Sequence, residues 1–446
     1  MREIRVAQAS IFEKYSEHEF GYRLQAMSDI LDAHPEWIDL IADDLIRKDV
    51  TATGRLGLSV ESVFRCLLLK QHLHIGYEQL AFHLSDSITY RTFARLQSHS
   101  MPSRSGLQSV IRRIKPETLE KVHEVLTATL FESEIISLDK VRIDSTVVAS
   151  HITPPSDSQL LNDGVRVLSR LLIKAKEKTG IKIRFTDQRK KAKSQAFKIF
   201  NAKKSVKDRL YPDLIKVSRL VINQADRALQ KVTREGAEGK GKQKWIKSVE
   251  HYQALLVKVI DQTVRRVIHE EKVKSSEKIV SIFEEHTDII VKGFRDIQYG
   301  HKINLSSDDR GFITCLSIEQ GNPADSDLFL PILDFHQSNY NELPKSVVAD
   351  GGYASQANVR EGRKRGVKRV VFHKPVGISL QEMGVKSKTF HQLRRFRAGV
   401  EGNISELKRA FGASKATWKK LDGFKAFVWS SVLSYNLVRL ARLNTR

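Results

Sequence analysis

The sequence is poor in cysteine and has no long hydrophobic run. Its 446 residues include two cysteines, Cys66 and Cys315, which are far apart in the chain. This usage excludes a disulfide scaffold and a cysteine-based zinc site. The most apolar stretches, 64–69 and 427–432, are far shorter than the roughly 18 residues of a membrane-spanning helix, and the first ten residues lack the apolar segment of a signal peptide. We therefore expect a cytoplasmic protein without a membrane partner.

Negative charge is also scarce. The 75 Lys and Arg residues outnumber the 52 Asp and Glu residues, which leaves a net charge of +23 and a pI near 9.8. Hydrophobic residues make up 41% of the chain, which excludes a wholly disordered protein. A large cationic excess favours a polyanionic partner, and nucleic acid is the partner that we expect. A basic surface that is simply solvated, or a ribosome-associated protein, stays open as an alternative.

The cations are concentrated in one segment. Residues 182–216 hold twelve Lys and Arg against three Asp. Apolar residues such as Phe197 and Phe200 are interleaved with them, so the pattern predicts an amphipathic basic surface instead of a disordered tail.

Hydrophobic periodicity divides the chain into helical and mixed parts. Apolar residues at three- and four-residue steps predict short helices from Ser59 to about residue 114, with a helix beginning near Ser103. Short helices joined by tight turns are typical of a small DNA-binding domain with a helix-turn-helix, and a plain helical bundle fits the pattern equally well.

The pattern changes after residue 135. It predicts a strand over 141–148, a long helical stretch to about residue 290, a β-hairpin over 299–319, and a helix after Pro323. Strands over 346–349 and 367–372, a helix over 355–365, and two final helices over 390–411 and 424–443 follow. This order predicts an α/β fold with a mixed sheet flanked by helices.

Three carboxylates stand out in this part. Asp144 interrupts an apolar strand, Asp350 ends another, and Glu401 shares a helix face with Arg397 and Lys408. Taken singly, each Asp fits a cap or turn, and Arg397–Glu401 fits an ordinary i,i+4 ion pair. Together, and beside a basic surface, they favour a site for hard divalent cations that acts on phosphodiesters. Glu406 lies on another side of the helix and is a poor alternative to Glu401.

These residues lie in recognisable blocks. RIDSTVV around Asp144, VVADGGYAS around Asp350 and RAGVEGNISELKRAFG around Glu401 resemble the three catalytic blocks of bacterial insertion-sequence DDE transposases. The Arg-x3-Glu-x6-Lys spacing resembles the subgroup in which a Tyr precedes the Arg by three positions, where this chain has Arg394. The segments over 55–114 are similar to the N-terminal domain common in these proteins, and the resemblance covers roughly residues 55–440.

The resemblance implies a ribonuclease-H-like catalytic domain with Asp144, Asp350 and Glu401 as catalytic residues and metal ligands. It implies two Mg²⁺ or Mn²⁺ ions, and DNA phosphate held by Arg397 and Lys408. We predict an N-terminal helical DNA-binding domain over 1–130 and a catalytic domain over 131–446, interrupted by a basic helical insertion over 150–290.

The insertion is expected to contact DNA or to dimerise. The predicted DNA-binding residues are Arg397, Lys408, Arg189, Lys190, Lys191, Lys193, Lys203 and Lys204.

By this resemblance the protein cleaves the ends of its element and joins them to target DNA. Its partners would be double-stranded DNA, as terminal inverted repeats and as target, and a second copy of the chain on paired ends, at the bacterial nucleoid. Two alternatives remain at this point. One is a metal-dependent nuclease without strand transfer, and the other is a catalytically inactive DNA-binding remnant.

Overall fold

The computed structural model describes residues 3–4, 15–46, 57–96, 101–235, 239–292, 296–374 and 377–444. The chain forms two compact units. The first comprises residues 1–151 and 300–446, and the second comprises residues 152–299. In the described part of the chain, no helix is long and apolar enough to cross a membrane.

Short helices form the N-terminal part of the first unit. They are α1 (Glu19–Ala33), α2 (Pro35–Leu45), α3 (Val60–His72), α4 (Tyr77–Asp86), α5 (Ile88–Phe93), α6 (Arg104–Ile111) and α7 (Pro116–Glu132). Ser59 and Ser103 begin α3 and α6, because each hydroxyl accepts a hydrogen bond from a backbone N–H three residues ahead. The helix starts predicted at these two serines are confirmed.

A mixed sheet follows, flanked by further helices. Its strands are β1 (Lys140–Ala149), β2 (Asp288–Lys292), β3 (Asp296–Ser307), β4 (Ile313–Ile318), β5 (Ser346–Ala349) and β6 (Arg369–Phe372). The helices are α14 (Phe329–Tyr340), α15 (Gln356–Lys364), α16 (Ser387–Ala410) and α17 (Leu421–Asn444). Among the described residues the strand order is β2-β3-β1-β5-β6, and β4 pairs with β3. The predicted α/β fold is confirmed.

The first unit has a continuous hydrophobic core at its N-terminal helices. α17 packs against α1, α3 and α7, and its buried Val432 belongs to the same apolar cluster as Leu67 of α3 and Leu305 of β3. A second cluster joins β5 and β6 to α14, α15 and the start of α16. The predicted division at residue 130 therefore coincides with no break in packing, and it stays a prediction about function.

The second unit has its own apolar core. Its helices are α8 (Asp157–Ile173), α9 (Ala175–Thr179), α10 (Arg189–Asn201), α11 (Lys204–Lys207), α12 (Tyr211–Arg234) and α13 (Lys240–Thr263). α8 packs against α10, α12 and α13. Trp245 is buried and donates from Nε1 to the Leu171 carbonyl at 2.8 Å, which makes it a packing residue.

The prediction of helix up to residue 290 is wrong. Helical structure that continues α13 ends at Ile268, and a single 3-10 turn, Ser275–Glu277, precedes β2. Residues 269–278 are mostly polar and lack the spacing of an apolar helix face, and Glu270 has a left-handed backbone with φ of 56°. The periodicity that supports a helix therefore stops about twenty residues earlier than predicted.

Candidate active site

The register of the sheet brings Asp144 and Asp350 next to each other. β1 and β5 are parallel, and Ile143 lies opposite Ala349. The residue after each of these is an Asp, so Asp144, within β1, lies beside Asp350, just past the end of β5. β5 ends at Ala349, and Asp350 begins the 3-10 turn Gly351–Tyr353. The apolar runs of both strands are buried, whereas the two Asp residues are half-buried.

Helix α16 supplies the third carboxylate and a shared cation. It packs on β1, β5 and β6. Arg397 Nη2 lies 3.0 Å from Asp144 Oδ2 and 3.5 Å from Asp350 Oδ1, and its Nη1 lies 3.2 Å from Glu401 Oε1. One guanidinium thus contacts all three predicted catalytic carboxylates.

Burial decreases from the cation outward. The Arg397 side chain is 10% exposed, Asp144 16%, Asp350 44% and Glu401 66%. Three carboxylates that converge repel one another, and a nearby cation lowers that repulsion. Because Glu401 and Asp350 still face solvent, the cluster is open to a ligand on the side away from the sheet.

A glycine allows α16 to approach β1. A Cβ on Gly399 would lie 2.0 Å from Nη1 of Arg142, which is buried two residues before Asp144. The Arg142 guanidinium donates to the Ser307 hydroxyl at 3.0 Å and to the Phe396 carbonyl at 3.1 Å. These bonds tie β1, β3 and α16 together directly behind the carboxylates.

A fourth carboxylate, Asp325, lies beside the site and was missed from the sequence. Its Oδ1 accepts hydrogen bonds from the Ser145 hydroxyl at 3.0 Å and from Lys302 Nζ at 3.1 Å. A Cβ on Gly352 would lie 2.8 Å from its Oδ2, so Asp325 sits between the residues that follow Asp144 and Asp350. Asp325 begins a 3-10 turn in a polar segment, where a carboxylate resembles an ordinary cap and gives no sequence signal.

Tyr353 lies near the acidic side chains of this site, and their charges affect its pKa. Its hydroxyl donates to Asn304 Oδ1 at 2.7 Å. Burial raises the pKa of the Tyr353 hydroxyl well above its ordinary value, and the charges of Asp325, Asp144 and Asp350 raise it further. The tyrosine therefore stays neutral, and its ring is buried in the apolar cluster around β5 and β6.

The carboxylate oxygens of this cluster are suitable ligands for a hard divalent cation. Carboxylate oxygens are the ligands that Mg²⁺ and Mn²⁺ prefer, and three of them already surround one cationic group. Within the described residues, however, no group of three His, Cys, Asp or Glu side chains stands ready to hold an ion. Arg397 lies among these carboxylates, so a metal ion at this position requires the guanidinium to move.

Three other residues of α16 considered in the sequence analysis, Lys408, Glu406 and Arg394, have different surroundings. Lys408 is half-buried and lies two helical turns beyond Glu401, roughly 10 Å along the axis. Glu406 instead forms ion pairs with Arg439, at 3.3 Å, and with Arg442, and thereby joins α16 to α17. The choice of Glu401 over Glu406 is consistent with this geometry. Arg394, at the position of the expected Tyr, lies over the Phe390 ring.

The second unit carries the other predicted DNA-binding residues. Lys190, Lys191, Lys193 and Lys203 are exposed on or beside α10. Arg189 is engaged by Asp187 through both carboxylate oxygens, at 2.7 to 3.0 Å. The side chain of Lys204 lies outside the described part of the structure.

The apolar residues of α10 are placed differently from the prediction. Phe197 and Phe200 are 68% and 74% exposed, and Ala192, Ala196 and Ile199 form the buried face instead. α10 packs on α8 through its face of mostly small residues, and the two rings lie away from that buried face. The basic surface is therefore aromatic as well as cationic.

Comparison with known families identifies the chain. A family model described as a transposase DDE domain matches residues 295–437, and one described as a transposase domain (DUF772) matches residues 15–113. The first match spans Asp350, Arg397 and Glu401, whereas Asp144 lies outside it. No curated protein and no solved structure matches the chain significantly. The two matches confirm the predicted family, and the chain belongs to the DDE transposases of insertion sequences, which act on DNA with a divalent metal ion.

Proposed function

We propose that Asp144, Asp350 and Glu401 are the catalytic carboxylates of this transposase and that together they hold two Mg²⁺ or Mn²⁺ ions. The observation that carries the proposal is their convergence on one guanidinium, with all three within 3.5 Å of Arg397 nitrogens. They come from two strands and one helix that are far apart in sequence. A structural ion pair needs one such carboxylate, and three favour a site for concentrated positive charge.

The bound ions would stabilise the charge that develops on the attacking and leaving oxygens of the phosphodiester. The chain contributes the rest of the arrangement. The pairing of β1 with β5 fixes Asp144 and Asp350, and Arg142 and Gly399 set the distance at which α16 presents Glu401. Arg397, once replaced by metal among the carboxylates, is available to contact a DNA phosphate, which is the role proposed for it and for Lys408.

The proposed reaction has two displacements at phosphorus. In the first, a water oxygen bonds to phosphorus and the 3′ oxygen leaves, which frees the element's 3′-hydroxyl. In the second, that 3′-hydroxyl oxygen bonds to a target phosphorus, loses its proton, and displaces the target's own 3′ oxygen. Each step forms one P–O bond and breaks one, so no external energy source is required.

The basic surface of α10 is the proposed DNA contact of the second unit. Its exposed lysines supply phosphate contacts, and the exposed Phe197 and Phe200 supply apolar area beside them. We further propose that the protein acts as a homodimer on paired element ends, because each end requires an active site. Arg189 is the weakest member of the predicted set, since Asp187 already neutralises it.

The test is a product assay on a labelled duplex that carries the element end, together with unlabelled target DNA. Wild-type protein with Mg²⁺ is expected to release the 3′ end and to join it to target. Asp350→Ala is expected to do neither, and Glu406→Gln serves as the matched carboxylate control that remains active. Fragments without joined product would establish a nuclease, and tight binding without cleavage in Mg²⁺ or Mn²⁺ would establish an inactive DNA-binding protein.

A further inference from the structure

A cavity lies in the first unit, among the N-terminal helices and the segment before α17. Its volume is about 480 Å³. α3 contributes Lys70 and Gln71, α4 contributes Tyr77, and α6 leads into Arg112. Thr417, Trp418 and Lys419, which follow α16, close the other side. These residues are distinct from the carboxylate site, and neither family match assigns them a role.

The cavity surrounds a buried lysine. Lys70 is 4% exposed, and its Nζ lies 5.2 to 5.8 Å from the ring centroids of Tyr77, Trp418 and Phe427. The described lining includes no Asp or Glu, and Gln71 Oε1 accepts a hydrogen bond from Nζ at 3.3 Å. Burial lowers the pKa of the Lys70 ammonium to about 8, so most of it is still charged at neutral pH. Aromatic faces attract a cation, but less strongly than a carboxylate does.

Two further hydrogen-bond donors and two further cations line the cavity. Trp418 Nε1 and the Tyr77 hydroxyl are buried, and neither has a hydrogen-bond partner within the described residues. Arg112 and Lys419 are exposed at the rim, and Arg112 Nη2 donates to the Lys419 carbonyl at 3.1 Å. Three cations and two unpaired donors therefore surround one space. A buried donor without a partner is costly, so this arrangement calls for an acceptor.

We propose that this cavity is a phosphate-binding site that receives a backbone phosphate of the DNA. A phosphate group carries the negative charge that Lys70, Arg112 and Lys419 lack as a partner within the described structure, and its oxygens would accept hydrogen bonds from Trp418 and Tyr77. The cavity is larger than one phosphate, which leaves room for the attached sugar. The assignment of DNA as the source rests on the proposed function, whereas the phosphate chemistry rests on the lining alone.

The experiment measures the affinity of the full chain for the end duplex as a function of salt. Lys70→Met keeps the length and the apolar packing of the side chain and removes its charge. Arg112→Gln and Lys419→Gln remove the rim charges, and Lys121→Gln removes an exposed charge elsewhere as the matched control. Each pocket variant is expected to lower affinity and to reduce the slope of log affinity against log salt by at most roughly 0.9, the value of one phosphate contact. The control is expected to keep the wild-type slope.

Melting temperatures separate binding from folding. Lys70→Met removes a buried charge and is expected to melt no lower than wild type while binding DNA more weakly. If Lys70→Met does not fold, the two rim variants carry the test. Wild-type slope and affinity in both rim variants would overturn the proposal.

The source of the phosphate is tested by tryptophan fluorescence, with Trp418→Phe identifying the signal of Trp418. The end duplex is expected to change that signal, and inorganic phosphate is expected to compete only at far higher concentration. Competition by inorganic phosphate at the same concentration as the duplex would overturn the assignment to DNA. This result does not depend on strand transfer. If the chain binds DNA through this cavity but joins no DNA, the phosphate site is supported and the proposed catalytic function is not.

Discussion

Arg397 balances three carboxylates that would otherwise repel one another. Asp144 is the most buried of them, so the loss of the guanidinium has its largest effect there. The proposed metal ions and Arg397 compete for the same neighbourhood, which makes the arginine an internal counter-ion of the metal-free protein. This relation can be measured without any turnover.

Arg397→Ala is expected to destabilise the metal-free protein by about 1 to 3 kcal/mol, because it removes charge-assisted contacts and leaves the repulsion between the carboxylates uncompensated. By the proposed function Mg²⁺ would bind the freed carboxylates, so it is expected to raise the melting temperature of the variant more than that of wild type. The exposed Arg395→Ala on the same helix is the control, and it should respond to Mg²⁺ as wild type does. An equal response in Arg397→Ala and wild type would contradict this role.

Asp308 gives a prediction about pH. It is fully buried in the turn between β3 and β4, where Oδ1 accepts from the Phe312 N–H at 2.7 Å. Burial raises the pKa of this carboxyl to about 7. The native state therefore binds the proton more tightly than the unfolded state, and the free energy of unfolding falls as pH rises from about 4 to about 7.

Titration of Asp308 should change the free energy of unfolding by at most about 1.4 kcal/mol per pH unit. Asp308→Asn is expected to lose this part of the pH dependence in denaturant unfolding at pH 4 to 7. Asp309→Asn, an exposed neighbour, should retain it. A wild-type slope in Asp308→Asn would show that the carboxyl titrates at its ordinary value.

At the scale of elements, the position of α16 over β1 decides where Glu401 points. Gly399 allows this approach, because a side chain there would collide with Arg142, whose guanidinium is already held by two hydrogen bonds. Gly402, three residues on, has no atom within 4 Å of an added Cβ. The two glycines of one helix thus differ in what surrounds them.

Gly399→Ala is expected to lower the free energy of unfolding by about 1 to 3 kcal/mol, as overpacking does, and to reduce strand transfer. Gly402→Ala is expected to raise it by roughly 0.5 to 1 kcal/mol, because alanine is the better helix former. Chemical denaturation of both variants measures the difference. Equal effects at the two positions would contradict the close approach of α16 to β1.

The sequence predicts these elements accurately where the hydrophobic periodicity agrees with the side chains that are buried in the structure. The strand over 346–349 matches β5, and α16 and α17 lie within a few residues of their predicted bounds. Asp144, Asp350 and Glu401 were selected because each interrupts or flanks an apolar pattern, and the structure brings them together around Arg397. Asp325 was not selected, because its hydrogen bond with Ser145 of β1, a contact between residues distant in sequence, brings it to the site. Phe197 and Phe200 were misjudged because periodicity cannot tell which face of a basic helix packs.

At the scale of the whole molecule, the charge of +23 should govern DNA binding. Affinity is expected to fall steeply with salt, since each phosphate contact releases counterions. Replacement of Lys190, Lys191 and Lys193 by Gln should reduce the log–log slope by up to roughly 2.7 if all three contact phosphate. Arg189→Gln should change it least, because Asp187 already pairs with Arg189. An unchanged slope in the triple variant would remove α10 from the DNA interface.

The central claim is that Asp144 of β1, Asp350 just after β5 and Glu401 of α16 form one metal site. Electron paramagnetic resonance of Mn²⁺, titrated into the full chain bound to an end duplex, tests it most directly. We predict saturable Mn²⁺ binding in wild type that is weakened in each of Asp144→Asn, Asp350→Asn and Glu401→Gln, and retained in Glu406→Gln. Mn²⁺ binding that survives all three substitutions, or that is lost equally in Glu406→Gln, would contradict the account.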